Sequence, residues 1–316
     1  MSVPLKRVTR ARIVTRAVLV ALPLLGLVEL GAYLISTRRA PREADWDQVT
    51  GLVREMKGEG CLVVSAPPWA DPEARRAFGD ELMPLRDVAR PDVSRYACAL
   101  EVSILGERAK ELRGFRETAR RDSGAFTLRK LENPSPARVL YDFVDHVRPP
   151  DADVRGTEPP LTCAWNANAT IAAGGLGGHP TFPRERFECP GGVFFNVGVT
   201  VIADEAFEPR RCIWSHPFAR GEIVTRFHDV PLGQVIRGHG GMYWIIERER
   251  RGAPITLTVR VDGEVVGSVV HHDGEGFAPF ELPLGARAGK RAEVVEFAVS
   301  SPNYRERHFC FEADTR

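Results

Sequence analysis

The chain has 316 residues, of which 43 are Lys or Arg and 42 are Asp or Glu, so its formal net charge at pH 7 is +1. This balance produces no strong basic field, and the sequence therefore gives no reason to expect a nucleic-acid partner. The length is enough for two ordinary domains, each with a core of its own.

Near the N-terminus an apolar segment covers residues 17–35, and Glu29 is the one charge in its nineteen residues. This length is just sufficient to cross a bilayer core as a helix. Residues 1–16 carry five basic side chains and no acidic ones. The positive-inside rule therefore predicts an anchor in the inner (plasma) membrane, with a cytoplasmic basic tail and with the chain from residue 40 onward in the periplasm or outside the cell.

A cleaved signal peptide is the alternative interpretation, since residues 17–28 have the length of an h-region behind a basic region. Small residues at both positions of an A-x-A-like cleavage site do not occur between Glu29 and Pro41, which favours the anchor. Within the membrane, Glu29 would be either neutral in a thinned bilayer or paired with a partner helix.

Residues 41–148 alternate between helical and strand patterns. Residues 44–57 have apolar side chains at helical spacing, and residues 61–66, CLVVSA, are typical of a buried parallel strand. Asp71 and Pro72 predict the N-terminus of the next helix. Further strands are predicted at 97–105, 126–131 and 139–147, with a charged helical stretch at 107–113. This alternation predicts a small α/β domain with a largely parallel sheet.

A proline-rich and acidic stretch, residues 149–160, predicts a linker. Residues 161–316 then contain many short apolar runs separated by turn residues. In residues 255–261 the apolar side chains alternate with polar ones, which is typical of a strand with one buried face. The fold class predicted for this part is all-β, an antiparallel β-sandwich of the jelly-roll type.

Six cysteines are present without CxxC spacing, which argues against a zinc ribbon or thioredoxin-like chemistry, and neither metal nor cofactor is predicted. In an exported chain disulfides are expected. Pairing within each proposed domain predicts Cys61–Cys98, Cys163–Cys189 and Cys212–Cys310. Buried free thiols are the alternative.

Two parts of the chain resemble known families. A helix led by Trp46, a strand ending in Ala-Pro-Pro-Trp and an Asp-Pro helix, within residues 44–147, resemble the extracytoplasmic α/β domain of dolichyl-phosphate-mannose:protein mannosyltransferase-type glycosyltransferases. The multi-span catalytic portion of those enzymes does not occur in these 316 residues, so the resemblance does not imply glycosyl transfer by this chain alone. Residues 160–316, with RRCIW, PITLTVRVDGEVVG and RHFCFEADTR, are similar to galactose-binding-like jelly rolls. The combination resembles bacterial single-pass envelope proteins that accompany such glycosyltransferases.

Carbohydrate binding requires exposed aromatic faces close to polar side chains. The candidate ligand-binding residues are His216, Arg237, His239, Tyr243 and Trp244. His239 lies between glycines, which predicts an exposed loop where it could meet a ligand.

A secondary candidate site, Trp69, Asp71 and Arg75, follows the first predicted strand, where ligands of parallel sheets bind. A helix cap at Asp71 and a solvated Arg75 are the structural alternative. The sequence contains no complete catalytic motif, and the run from Gly174 to Gly178 is interpreted as a turn.

The favoured hypothesis is a membrane-anchored extracytoplasmic protein that binds carbohydrate or a glycosylated envelope partner without catalysis. One alternative is an accessory subunit of a multi-span membrane glycosyltransferase in cell-envelope glycan assembly, with Glu29 as its membrane contact. The other is an envelope hydrolase or transferase that uses the site around Asp71.

Overall fold

The structure is a computed structural model that describes residues 19–33, 41–170 and 182–316. Contacts divide the chain into two compact units. The first unit comprises the chain up to Met83 together with Cys98–Asn133, and the second comprises Pro84–Ala97 together with Pro134–Arg316. The division therefore differs from the predicted domain 41–148, because two segments of that range belong to the second unit.

Helix α1 covers residues 19–33, within the predicted membrane segment. Its large apolar side chains are exposed, with Leu19 at 65% and Val28 at 67% of full exposure. Within the described ranges, no helix has both the length and the apolar character needed to cross a membrane. The tail 1–16 and both ends of the predicted span 17–35 lie outside the described residues, so the anchor stays a prediction.

The first unit contains a four-stranded sheet with the strand order β1-β2-β4-β3. Its strands are β1 (Leu62–Ala66), β2 (Cys98–Ile104), β3 (Arg116–Ser123) and β4 (Phe126–Glu132). β1 and β2 are parallel, but β2 pairs antiparallel with β4, and β4 pairs antiparallel with β3. The prediction of a largely parallel sheet is therefore wrong for β3 and β4. A two-residue turn that begins at Gly124, where φ is +59°, folds β4 directly back along β3.

Two helices complete the first unit: α2 (Glu43–Met56) and α3 (Asp71–Leu82). Trp46 of α2 packs edge to face on Phe78 of α3 and on Phe126 of β4, with ring centroids 5.8 and 4.7 Å apart. The predicted helical stretch at 107–113 is only a 3-10 turn, Lys110–Leu112.

The second unit contains two sheets in which all strand pairs of the described residues are antiparallel. The first sheet has the order β16 (Ala278–Pro283), β13 (Val235–Met242), β18 (Phe309–Thr315), β11 (Pro209–Ser215), β10 (Asn196–Ala203), β9 (Arg186–Glu188) and β8 (Ala164–Asn166), with β5 (Tyr141–Asp142) beside β18. The second sheet has the order β15 (Glu264–His271), β14 (Ile255–Val261), β17 (Arg291–Ser300), β12 (Ile223–Pro231), β6 (Ala152–Thr157) and β7 (Pro160–Thr162). The helices are α4 (Leu85–Val88) and α5 (Trp244–Glu249).

The two sheets enclose one hydrophobic core. Phe297 of the second sheet stacks on Phe311 of the first, with centroids 5.0 Å apart. The apolar residues of β14 are buried and alternate with partly exposed polar ones. These contacts confirm the predicted antiparallel β-sandwich.

Residues 149–160 are not a linker between the units. They contain β6 and the start of β7, and β6 pairs with β12 inside the second sheet. Ala152 and Val154 are buried in the core, while Asp153 and Arg155 point outward. Prolines lie on both sides of the short strand β6. They suggested a linker and obscured the alternation of buried and more exposed residues within the strand. The predicted strand at 139–147 also differs, since β5 is followed by the 3-10 turn Phe143–His146.

All three predicted disulfides are confirmed, namely Cys61–Cys98, Cys163–Cys189 and Cys212–Cys310. The third lies between β11 and β18 on the outer face of the first sheet. There it joins a second, smaller apolar cluster that includes Trp214 and Tyr243. Surface residues on the outer face of this sheet therefore lie over a packed apolar cluster.

Candidate functional site

The glycine run around His239 is part of strand β13, and the expected exposed loop is not found. The glycines serve close packing instead. A Cβ at Gly238 would overlap the backbone oxygen of Glu312, and one at Gly241 would lie 2.6 Å from the backbone oxygen of Gly276. Larger residues at these positions would separate the neighbouring chains.

His239 is buried, and its Nδ1 lies 2.7 Å from Oε1 of Glu312 on the adjacent strand β18. Burial raises the pKa of the Glu312 carboxyl, and the nearby His239 lowers that pKa by a smaller amount. Phe277 stacks parallel to the His239 ring with centroids 6.2 Å apart. His239 is thus paired inside the protein, and its exposed fraction is 9%.

The other residues of the primary prediction have different environments. Arg237 is 39% exposed at its side chain and lies 3.7 Å from Asp92, and Tyr243 is buried in the smaller apolar cluster. His216 is buried, and its Nδ1 lies 2.9 Å from the oxygen of Pro217. Burial lowers the pKa of His216 to about 4. His216 therefore has the character of a neutral core histidine.

Trp244 is the predicted residue that lies at an aromatic surface. It begins α5, and Arg248 follows four residues later on the same helix face. The guanidinium carbon of Arg248 lies 5.5 Å from the centre of the Trp244 ring and 4.3 Å from that of Phe207. The Phe207 and Trp244 rings are 5.0 Å apart and tilted by 47°. We call Phe207, Trp244 and Arg248 the aromatic patch.

A buried carboxylate holds α5 in place. Glu247 has no solvent exposure, and its Oε1 accepts a hydrogen bond from the backbone N–H of Met242 at 2.7 Å. The same oxygen lies 2.6 Å from Nε2 of His271, while Oε2 accepts from the N–H of Gly274 at 2.7 Å. These contacts connect α5 to the ends of β13 and β15, so Trp244 and Arg248 project from a fixed helix.

A second buried carboxylate positions Phe207 in the turn between β10 and β11. Oδ1 of Asp204 accepts hydrogen bonds from the N–H groups of Ala206 and Glu208, each at 2.9 Å. Its Oδ2 accepts from Nε of Arg210 at 2.7 Å. Between these anchored residues Phe207 has φ +62°, an unfavourable value for a residue with a large side chain, and it is 55% exposed.

Polar groups border the patch. Nη2 of Arg248 donates a hydrogen bond to the backbone oxygen of Glu205 at 2.8 Å. The Glu205 carboxylate lies 3.5 Å from Nη2 of Arg250, and both side chains are partly exposed. An apolar ring surface, donors and an acceptor are therefore available together, which is the chemistry needed to hold a sugar ring by its C–H face and its hydroxyls.

Sequence reasoning identified Trp244 but missed Phe207 and Arg248. Phe207 stands 37 residues before Trp244 in the chain, so proximity in sequence could not connect them. A signal was nevertheless present. Phe207 lies between Glu205 and Glu208 in a polar stretch typical of a turn, which predicts an exposed aromatic side chain.

At the secondary site, Trp69 is 63% exposed and follows the end of β1. Nε of Arg75 donates to Oδ2 of Asp71 at 2.6 Å, and Nη1 donates to the backbone oxygen of Met83 at 3.1 Å. Arg75 is thus bonded within its own helix region and is only 22% exposed, and Asp71 lies inside the helix without capping it, so neither the solvated arginine nor the helix cap of the structural alternative is found. The candidate turn Gly174–Gly178 lies outside the described residues.

The adjacent residues His271, His272 and Asp273 lie in three different environments. His271 faces Glu247, His272 is exposed, and Asp273 forms a buried ion pair with Arg307 at 2.5 Å. Within residues 19–33, 41–170 and 182–316, no group of three or more His, Cys, Asp or Glu side chains is placed to hold a metal ion.

Fold and site together define a disulfide-linked, two-sheet β-sandwich with an aromatic patch, joined in one chain to a small mixed α/β unit. No protein-family model and no curated protein sequence matches this chain.

Among solved structures, the chain is similar to three from Clostridium perfringens ZmpB that contain carbohydrate-binding modules. The M60 catalytic domain with the CBM51-1 and CBM51-2 domains is 8% identical, with 64% of this chain and 20% of that chain covered and a TM-score of 0.27. CBM51-2 in complex with GlcNAc and INT domains is 11% identical, covering 68% and 40%, with a TM-score of 0.27. A further structure of CBM51-2 and INT domains is 9% identical, covering 67% and 46%, with a TM-score of 0.26. The chain spans less than half the length of each, and at these TM-scores the likeness carries no argument about the site.

Proposed function

We propose that the second unit binds carbohydrate, either free or on a glycosylated envelope partner, through the aromatic patch. The observation that carries the proposal is the exposed ring of Phe207 beside Trp244. Aromatic rings offer a flat apolar surface to the C–H face of a pyranose. Arg248 within the patch supplies a planar donor, and Glu205 at its border supplies a carboxylate, for hydroxyl groups.

The proposed role is binding without catalysis. Glycoside hydrolysis generally uses two carboxyl groups that flank the scissile bond. At the patch, Glu205 and Glu208 are the partly exposed carboxylates beside Phe207, and each is engaged by an arginine, Arg250 and Arg210 respectively. The buried carboxylates Asp204 and Glu247 accept backbone hydrogen bonds that hold the patch together.

The protein is further proposed to be anchored in the inner membrane, with both units on the extracytoplasmic side. The exposed leucines of α1 support this proposal, because a helix with apolar residues on all sides needs a covering environment. Three disulfides support the extracytoplasmic location of the two units, since disulfide bonds persist in oxidising compartments. The glycosyltransferase-subunit alternative, with Glu29 as contact, stays a prediction from the sequence.

The test is to screen the full chain in detergent against an array of bacterial envelope glycans, and then to measure the affinity of a bound glycan for variants. Phe207→Ala and Arg248→Gln change exposed side chains, so the fold should persist. Each should weaken binding about tenfold, because each removes a contact worth on the order of 1 kcal/mol. Trp69→Ala, an exposed aromatic residue in the first unit, is the matched control and should bind like the wild type.

Two results would contradict the proposal. Unchanged affinity of Phe207→Ala and Arg248→Gln would remove the patch as the site. Loss of binding in folded His239→Ala with full binding in Phe207→Ala would return the site to the histidine predicted from the sequence.

A further inference from the structure

A second concave site lies on the β-sandwich unit, formed by residues other than those of the aromatic patch. It is a cavity of about 410 Å³ between the 3-10 turn that follows β5, the segment before β9, and strands β10 and β11. Val147 and Val199 form part of its apolar lining. Its volume lies within the range of about 300 to 1,000 Å³ that is typical of small-molecule sites, and five of its nine lining residues are charged.

Arg211 is the most deeply placed charge of this cavity. Its side chain is 16% exposed, and its Nη2 donates to Oδ1 of Asp145 at 2.9 Å. Its Nη1 is buried and has no hydrogen-bond partner in the described part of the chain. The Arg211 guanidinium therefore places a positive charge at the base of the cavity, and one of its nitrogens has no acceptor among the described residues.

Asp145 does not cancel the positive charge of the cavity. Burial by itself would raise the pKa of its carboxyl, but Arg211 and Arg90 outweigh that effect and lower the pKa below its ordinary value. The Arg90 guanidinium lies 3.6 Å from this carboxylate. Asp145 is therefore an ionised group already shared between two arginines.

Two more arginines line the cavity, Arg148 and Arg184. Both are exposed, and neither side chain has an ion pair or hydrogen bond among the described residues. The remaining acidic group of the lining is Glu185. Three arginines therefore face two carboxylates, of which Asp145 is already paired.

We infer that this cavity binds a monosaccharide-sized anion, that is, a sugar ring carrying a carboxylate or a phosphate group. The forked guanidinium group matches both anions and bonds to them in a bidentate manner. Val199 and Pro183 are partly exposed and provide the apolar surface for the ring. The inference does not depend on the aromatic patch, and the two sites can be tested separately.

The test uses the full chain in detergent and isothermal titration calorimetry with glucose 1-phosphate, glucuronate and glucose as probes. At least one of the two anionic probes should bind, and the comparison between them distinguishes phosphate from carboxylate. Binding should weaken more than about tenfold in the double variant Arg148→Gln, Arg184→Gln, since a charge-assisted hydrogen bond contributes about 1.5–3 kcal/mol. Added salt should weaken it as well.

The matched control is Arg220→Gln, an exposed arginine of the same unit that has no ion pair in the described residues and lies outside the cavity lining. It should bind the anionic probe like the wild type. The inference is overturned if neither anionic probe binds, if glucose binds equally well, or if the double variant and Arg220→Gln have the same affinity. Because Arg148 and Arg184 are exposed, these substitutions leave the core intact.

Discussion

Replacement of Asp204 tests how the aromatic patch is built. This carboxylate is buried, with 5% exposure, and it accepts two backbone hydrogen bonds of 2.9 Å from Ala206 and Glu208. It also pairs with Arg210 at 2.7 Å. Asp204→Ala removes all three contacts at once and adds no bulk. The turn that carries Phe207 then loses its acceptor.

The magnitude follows from these contacts. A hydrogen bond to a charged group contributes about 1.5–3 kcal/mol, and removing one member of a buried ion pair costs about 3–5 kcal/mol. Because the contacts share one carboxylate, the effects overlap, and we expect Asp204→Ala to lower the free energy of unfolding of the second unit by about 3–5 kcal/mol. Asp204→Asn retains an acceptor oxygen and should lose about 1–2 kcal/mol.

The functional consequence is local. Phe207 has a positive φ that costs on the order of 1 kcal/mol or more and persists only while the surrounding contacts enforce it. Without the Asp204 carboxylate the turn should relax and Phe207 should leave Trp244. Glycan binding by the patch should therefore fall in Asp204→Ala even at temperatures where the protein remains folded.

The assay is urea unfolding followed by tryptophan fluorescence, with glycan binding measured on the same samples. Glu293→Ala is the control, an exposed acidic residue of the same unit, and it should stay within about 0.5 kcal/mol of the wild type. If Asp204→Ala unfolds at the wild-type urea concentration, the carboxylate does not organise the turn. If stability falls but binding is unchanged, Phe207 is not part of the site.

Three further results are expected. Gly238→Ala should unfold at a lower temperature than the wild type in a thermal melt, because its Cβ would overlap the backbone oxygen of Glu312. The double variant Cys212→Ser, Cys310→Ser should lose about 5 kcal/mol in urea unfolding, since the bond closes a long loop with a sequence separation of 98. The free energy of unfolding should fall by about 3 kcal/mol as the pH drops from 6.5 to about 4 because of His216. Over this pH range the His216 ring gains a proton in the unfolded state, whereas the buried ring of the folded state stays neutral. The measurement is the unfolding free energy against pH for the wild type and for His216→Gln, which should lack this component.

Each of these can be contradicted. An unchanged melting temperature of Gly238→Ala would mean that β13 and β18 are not in close contact. A loss of less than 1 kcal/mol in the double cysteine variant would mean that the disulfide adds little to the packed cluster around it. Parallel pH curves for His216→Gln and the wild type would mean that His216 titrates normally.

Several features of this fold could be predicted from local pattern alone. The alternation in residues 255–261 placed one face of β14 in the core, because side chains of a strand alternate between its two faces. Cysteine pairing followed from grouping along the chain, since each pair joins residues of one unit. The hairpin strand β3 was missed because it is almost wholly polar and exposed and so shows no apolar alternation, and the strand within 149–160 was missed because the surrounding prolines suggested a linker.

The site depended on tertiary structure. Phe207 reaches Trp244 only because Asp204 shapes one turn and Glu247 fixes a short helix elsewhere in the chain. The role of the glycines around His239 likewise could not be read from their spacing. A glycine next to histidine suggests an exposed loop, but the same residue also permits two strands to approach closely, and only the position of the neighbouring strand distinguishes these cases. Local sequence thus indicated the strands with clear apolar patterns and the cysteine pairs, whereas contacts between distant segments decided the remaining strands and which side chains face solvent together.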